Sequence, residues 1–273
     1  MSNRYDILFE ELKNKKVKAF VPFVTLCDPN YELSLKIVRA LIENGADALE
    51  LGLPFSDPVA DGLVIQQASI RALKSGANSK DCFKLVQQIR KEYPNIPIGL
   101  LVYSNLVVCN SIESFYADAK QAGVDSVLIA DVPFLESVPF DAAANNAGIQ
   151  PIYLAPPNAS KQLLKSIADK AQGYIYLLSR AGVTGADVSV EMPITTVLDE
   201  LSKYNAPPCL LGFGIANPKQ VKQAIKSDIG GVISGSAVVS IIAKGINNKQ
   251  INERKILNGL SQFITEMKQA TTE

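Results

Sequence analysis

The chain has 273 residues, with 27 Lys plus Arg, 27 Asp plus Glu and no histidine; 47% of it is apolar and 20% charged. The apolar fraction excludes disorder, and zero net charge gives no drive toward nucleic acid or an anionic membrane. Without histidine, Ser-His-Asp and Cys-His nucleophile pairs and imidazole-held zinc are excluded, so acid–base chemistry falls to carboxylates, Tyr, Lys or Cys.

The opening segment MSNRYDILFEELKNKK is charged throughout, so no signal peptide is expected. Residues 3–14 predict an extra helix ahead of the first strand. The basic run Lys13, Lys15, Lys16 and Lys18 predicts a solvated connection. Eight short aliphatic runs follow: 19–26, 47–53, 97–103, 125–131, 150–155, 173–179, 208–214 and 230–236. Their near-continuous apolar character predicts strands buried on both faces, as in a parallel sheet. Between them lie helical periods such as Leu33, Ile37 and Leu41. Asp28-Pro29 predicts an N-cap with Pro at the first helical position. Gly45, Gly123 and Gly148 each predict a helix stop that leads directly into a strand. The last helix is predicted over 252–269. No apolar run approaches the ~18–20 residues of a membrane helix.

Eight strand–helix units predict a (β/α)8 TIM barrel forming a single domain over 1–273. The connections after strands 2 and 6 are long, and both follow strand C-termini, where barrel active sites sit. The first starts PFSDPVADG and carries a helix over about 61–75 before the helix at 79–92; the second is RAGVTGADVSVEMP. Both are candidate lids. Cys27, Cys82, Cys109 and Cys209 form no CxxC pair, which predicts reduced, mostly buried thiols in a cytoplasmic protein and no metal site.

Glu50 is the most informative residue. Strand alternation puts Ala48, Glu50 and Gly52 on the inward face and Leu49 and Leu51 against the helices. A carboxylate inside the barrel is desolvated, so its pKa rises and it can act as acid or base near neutrality. An activity profile would then report a raised carboxylate, with an acidic limb set by Glu50. Asp57 and Asp61 sit in the following loop. One of them serves turn chemistry. Asp61, just before an apolar helix, is the better second carboxylate, able to divide acid and base roles with Glu50. Gly182–Gly185, Gly212–Gly214 and Ser234–Ser236 follow late strands, where barrels bind phosphate at helix N-termini. By parity, Leu101, Tyr103, Leu128, Ala130 and Tyr176 line an apolar pocket for a flat aromatic substrate.

These residues resemble the tryptophan synthase alpha chain family from about Phe20 to Gly245. The motifs are FVPFVTLCDP, ALELGLPFSDPVADG, GLLVYSN, ADVP, YLLSRAGVTGA, LGFGI and ISGSA. The resemblance implies retro-aldol cleavage of indole-3-glycerol phosphate to indole and glyceraldehyde 3-phosphate, with no cofactor in this chain. It implies Glu50 as the general acid–base and Asp61 at the indole N–H. It implies phosphate on Gly185, Gly214, Gly235 and Ser236. Phe23, Leu101, Tyr103, Leu128 and Tyr176 resemble the indole pocket, and Thr184 the residue that meets the catalytic Asp on loop closure. The implied partner is a pyridoxal-phosphate beta chain in an allosteric alpha2beta2 heterotetramer, met by loop 54–62 and Asn105. Cys27 stands where many members have Gly and Leu63 where many have Pro, which predicts a more mobile catalytic loop. Two alternatives compete: a catalytically weak allosteric partner of the beta chain, and another phosphate-binding barrel enzyme of the pathway.

Overall fold

Nine parallel strand segments form one sheet that closes on itself through its fifth strand. The computed structural model describes residues 3–179, 194–247 and 250–272. The eight barrel strands are β1 (Ala19–Thr25), β2 (Leu49–Gly52), β3 (Ile98–Val102), β4 (Ser126–Ile129), β5 in two pieces (Gln150–Pro151 and Tyr153–Ala155), β6 (Ile175–Leu178), β7 (Cys209–Gly212) and β8 (Gly231–Ser234). The helices are α1 (Arg4–Lys15), α2 (Tyr31–Glu43), α3 (Leu63–Lys74), α4 (Ser79–Glu92), α5 (Ser104–Val108), α6 (Ile112–Ala122), α7 (Val138–Ala147), α8 (Lys161–Lys170), α9 (Ile194–Ser202), α10 (Pro218–Ala224), α11 (Ser236–Lys244) and α12 (Glu253–Gln269). The predicted helices at 3–14, 61–75, 79–92 and 252–269 are α1, α3, α4 and α12. A small antiparallel pair, Ile246–Asn247 with Gln250–Ile251, lies outside the barrel. The long connection after β6, with Arg180, Thr184 and Gly185, lies outside the described residues.

Alternation sorts the strand residues as expected. Leu49, Leu51, Ile98, Leu100 and Val127 pack with the helices in the outer layer. Ala19, Val21, Ala48, Leu128, Tyr174, Tyr176, Leu210 and Ile233 fill the barrel interior. The fifth strand is not continuous. Gln150–Pro151 pairs with β4 and Tyr153–Ala155 pairs with β6. Pro151 has no N–H to donate toward β6, so that pairing begins only at Tyr153. Ile152, between the two pieces, donates to Val127 O at 3.0 Å.

Gly45, Gly123 and Gly148 end their helices with φ of 111°, 88° and 65°, the left-handed cap that glycine adopts without a Cβ clash. Asp28 departs from expectation. Asn30 caps α2 instead, accepting from Leu33 N at 3.0 Å. Asp28 is 1% exposed, and Arg71 of α3 donates to both its carboxylate oxygens at 2.7 Å. α2 begins at Tyr31, so Asn30 and not Asp28 stands at the capping position. The Asp28-Pro29 peptide bond is cis.

At the N-terminal ends of the strands, two aspartates act as clamps. Asp47 accepts from Phe20 N and Lys268 Nζ, both at 2.7 Å. Asp125 accepts from Arg4, Arg90 and Ile98 N at 2.6–2.8 Å. α1 covers this end and sends Tyr5 inward, where its hydroxyl meets Ser126 Oγ at 2.9 Å. Gly99 makes room for that contact, since a Cβ there would lie 2.8 Å from Ser126 Oγ and 3.1 Å from Tyr5 OH.

β8 and β1 approach closely enough to require glycine. A Cβ on Gly231 would fall 2.4 Å from the Ala19 carbonyl oxygen and 2.8 Å from Ala19 Cα. Backbone cannot yield as a side chain can. Gly231→Ala is therefore expected to cost about 3 kcal/mol, read in urea unfolding as a lower midpoint with an unchanged m-value.

Candidate active site

The C-terminal ends of the strands surround a cavity of about 190 Å³. Glu50, Phe23, Leu101, Leu128 and Tyr176 contribute from the strands, and Ala60 and Asp61 from the loop after β2. Gly214, Gly235 and Ser236 close the opposite side. Most of the wall is aliphatic or aromatic, with the carboxylates of Glu50 and Asp61 and the hydroxyls of Tyr176 and Ser236 among the polar groups.

Glu50 is 1% exposed. The Tyr174 hydroxyl donates to its Oε1 at 3.3 Å, while Oε2 is buried and unpartnered. Burial pushes its pKa up to about 8; the Tyr174 hydrogen bond opposes this and the charge of Asp61 adds to it. An acid that stays protonated at neutral pH and has one oxygen uncommitted can give up and recover a proton.

Asp61 is buried to a lesser degree, and burial raises its pKa to about 6 against a lowering hydrogen bond from Tyr103. The two carboxylates are thus poised on either side of neutrality. The loop carrying Asp61 is folded back over the cavity. Ala60 N donates to the Tyr103 hydroxyl at 3.2 Å, the Phe55 ring stacks on Tyr103 at 5.3 Å, and Gln66 Nε2 donates to Asp61 O at 2.7 Å. Asp57 is exposed on the same loop, and its carbonyl accepts from Val59 N in a turn.

On the far side, Phe213 and Gly214 both have positive φ, 65° and 76°. α11 begins at Ser236 with no side chain capping it. Its first turn, with Gly235, Ser236 and Ala237, lines the cavity, which is the setting in which a helix N-terminus holds an anion.

A family model described as tryptophan synthase alpha chain matches residues 9–272. The chain belongs to the tryptophan synthase alpha chain family. A member from Vibrio vulnificus strain YJ016 is 56% identical over 269 residues, covering 98% of this chain and 99% of the relative. One from Francisella tularensis strain FSC 198 is 55% identical over 271 residues, covering 99% of each. Among solved structures, the tryptophan synthase alpha chain of Legionella pneumophila subsp. pneumophila superposes with a TM-score of 0.85 at 31% identity, covering 99% of this chain and 98% of that one. A Pyrococcus furiosus structure, described as the basis of mutual activation of the tryptophan synthase a2b2 complex, gives 0.82 at 33% identity, covering 92% and 98%.

Membership in the tryptophan synthase alpha chain family makes this chain a lyase that cleaves indole-3-glycerol phosphate in tryptophan biosynthesis. The competing assignment to another phosphate-binding barrel enzyme falls with it. Of the residues expected at the site, Glu50, Asp61, Phe23, Leu101, Leu128, Tyr176, Gly214, Gly235 and Ser236 are brought around one cavity. Tyr103 stands behind Asp61 and holds it rather than facing inward. Gly185 and Thr184 lie outside the described residues. Sequence reasoning passed over Tyr174, although it shares the inward parity of Tyr176. It also passed over Phe213, whose ring meets Tyr176 edge-on at 6.3 Å and whose signal was its place between two glycines.

The raised pKa of Glu50 has a stability consequence. Between the ordinary carboxyl value near 4.5 and about 8, the folded chain holds a proton that the unfolded chain has released. Stability due to this group is therefore intact below about 4.5 and is lost as pH rises toward 8. Glu50→Gln is expected to unfold at a higher temperature than wild type at pH 8, by an amount on the order of 3 kcal/mol, with the gap closing at pH 4.5. Thermal melts at the two pH values test this, and a gap of equal size at both would contradict it.

Proposed function

We propose that Glu50 moves both protons of the cleavage and that Asp61 carries the charge at the indole nitrogen. Protonated Glu50 delivers its proton to indole C3 through Oε2. The resulting cation is stabilised by Asp61, which accepts the indole N–H. The Glu50 carboxylate then takes the proton of the glycerol hydroxyl next to the ring. The carbon–carbon bond breaks, its electron pair returns to the indole ring, and the hydroxyl carbon leaves as an aldehyde. Glu50 ends protonated, as it began, and no cofactor in this chain is needed to balance the step.

The observation that carries this reading is the pairing of two buried carboxylates with different pKa values in one apolar cavity. It also weighs against a catalytically weak partner subunit. Gly214, Gly235 and Ser236 would take the phosphate. A Cβ at Gly235 would make only ordinary contact with Phe23, at 3.4 Å or more, so the glycine answers to close approach by a ligand rather than to packing. Phe23, Leu101, Leu128 and Tyr176 would enclose the indole. Thr184 and Gly185 retain the roles that the family motif gives them, at loop closure and at the phosphate.

For the beta chain, the supporting observation is the apolar surface around the mouth. Val59, Leu63 and Leu135 are 72%, 76% and 81% exposed, and a monomer gains nothing by showing them to water. Together with loop 54–62 and Asn105, this surface fits the alpha2beta2 heterotetramer, with pyridoxal phosphate belonging to the beta chain and indole passing between the subunits. No helix among the described residues is long and apolar enough to cross a membrane, and the four free cysteines suit a cytoplasmic enzyme.

Under this mechanism Asp61 must be ionised and Glu50 protonated in the free enzyme. The acidic limb therefore passes from Glu50, where the sequence alone put it, to Asp61. The expected kcat/KM for indole release rises with pH through about 6 and falls through about 8. Glu50→Gln should lower kcat at least ~10²-fold, and Asp61→Asn should abolish the limb near 6. Near-normal turnover in Glu50→Gln would overturn the assignment.

A further inference from the structure

We propose that Cys27 and Cys82 are a reversible disulfide-forming pair, a modification site that ties the turn after β1 to α4. The two Sγ atoms lie 3.9 Å apart, in hydrogen-bonding contact. Both residues are buried, and neither takes part in the cleavage chemistry. Closure to a disulfide requires the sulfurs to approach to ~2 Å, so one or both side chains must rotate toward the other.

Cys27 is also an unusual place for a cysteine. Its φ is 62°, in the left-handed region where glycine is the residue without a Cβ penalty. Its side chain is 1% exposed and packs in the outer core. Its backbone N–H donates to Ser34 Oγ at 2.9 Å, a bond that glycine would make equally well. The thiol itself is what the position gains, and its recorded partner is the thiol of Cys82.

The pair divides the chemistry unequally. The hydrogen bond from Cys82 lowers the pKa of Cys27, while that bond and burial raise Cys82. Cys27 is therefore the better nucleophile of the two, and a peroxide reaches it when the turn after β1 opens locally. Its thiolate attacks one peroxide oxygen, the O–O bond breaks, and Cys27 becomes a sulfenic acid as hydroxide leaves. Cys82 then attacks the Cys27 sulfur, loses its proton and expels hydroxide, which leaves as water. In sum, two thiols give up two electrons and two protons, and hydrogen peroxide is reduced to two waters. A small dithiol reverses the step by exchange. The cross-link closes a loop over residues 28–81, which carry Glu50, Asp61 and the Asp28–Arg71 pair. The other two thiols differ in kind. Cys209 is buried, and burial raises its pKa to about 12; Cys109 is exposed and would join molecules to each other.

The test uses the full chain carrying Cys109→Ser. It is treated with hydrogen peroxide, unfolded, alkylated and mapped by peptide mass. The expected product is one peptide pair joining Cys27 to Cys82, lighter by two hydrogens than its separate parts. Two alkylatable thiols are lost, and both return after dithiothreitol. Adding Cys27→Gly, which relieves rather than strains the backbone, should remove the linked pair. Full alkylation of Cys27 and Cys82 after peroxide, or separate oxidation of each to a sulfinic acid, would overturn the proposal.

Discussion

A carboxylate with no countercharge among the described residues, enclosed in the middle of a barrel, is the constraint around which this molecule is arranged. Glu50 gains reactivity from desolvation, so water and cations must be kept from it on every side. The strands supply Ala48, Leu128 and Tyr176 around it. Tyr174 supplies a single hydroxyl, enough to orient Oε1 while leaving Oε2 uncommitted. A lysine at that place would form an ion pair and hold the carboxylate ionised, ending its use as an acid near neutrality.

The rest of the fold separates rigidity from chemistry along the barrel axis. Charged clamps sit at the N-terminal ends of the strands, where Asp47 and Asp125 join strands to α12, α4 and α1. At the other end the polar contacts are weaker in charge and more local. Asp61 is held by a phenol, a stacked ring and one amide. The exception at that end is Asp28, in the turn after β1, whose bidentate pair with Arg71 fixes α3 directly after the loop that carries Asp61. The loop that must admit substrate is thus mounted on a helix that is itself pinned.

Much of this was legible in the sequence because strands and helices have fixed periods. The inward parity of Ala48, Glu50 and Gly52 followed from alternation alone, and glycine caps marked three helix-to-strand turns. What escaped depends on contacts between distant positions. Tyr174 and Glu50 are 124 residues apart, and no spacing rule relates them. Asp28 reads as an N-cap because Pro follows it, yet Arg71 claims the carboxylate from another helix. Tyr103 has the parity of a pocket residue, but its ring and hydroxyl are taken up by Phe55, Ala60 and Asp61 of the loop after β2, contacts that parity does not show. The break in β5 is the intermediate case: Pro151 was visible, and its effect on pairing depends on which neighbour the ladder reaches next.

Tyr5 belongs to a helix that precedes the barrel, and it touches neither the cavity nor the catalytic loop. It nevertheless seals the interior beneath Glu50, with its ring 5.4 Å from that of Tyr174 and its hydroxyl on Ser126. The burial that raises the pKa of Glu50 is therefore completed from the opposite pole of the molecule. A change at Tyr5 would reach the acidity of Glu50 while every side chain around the cavity stays the same.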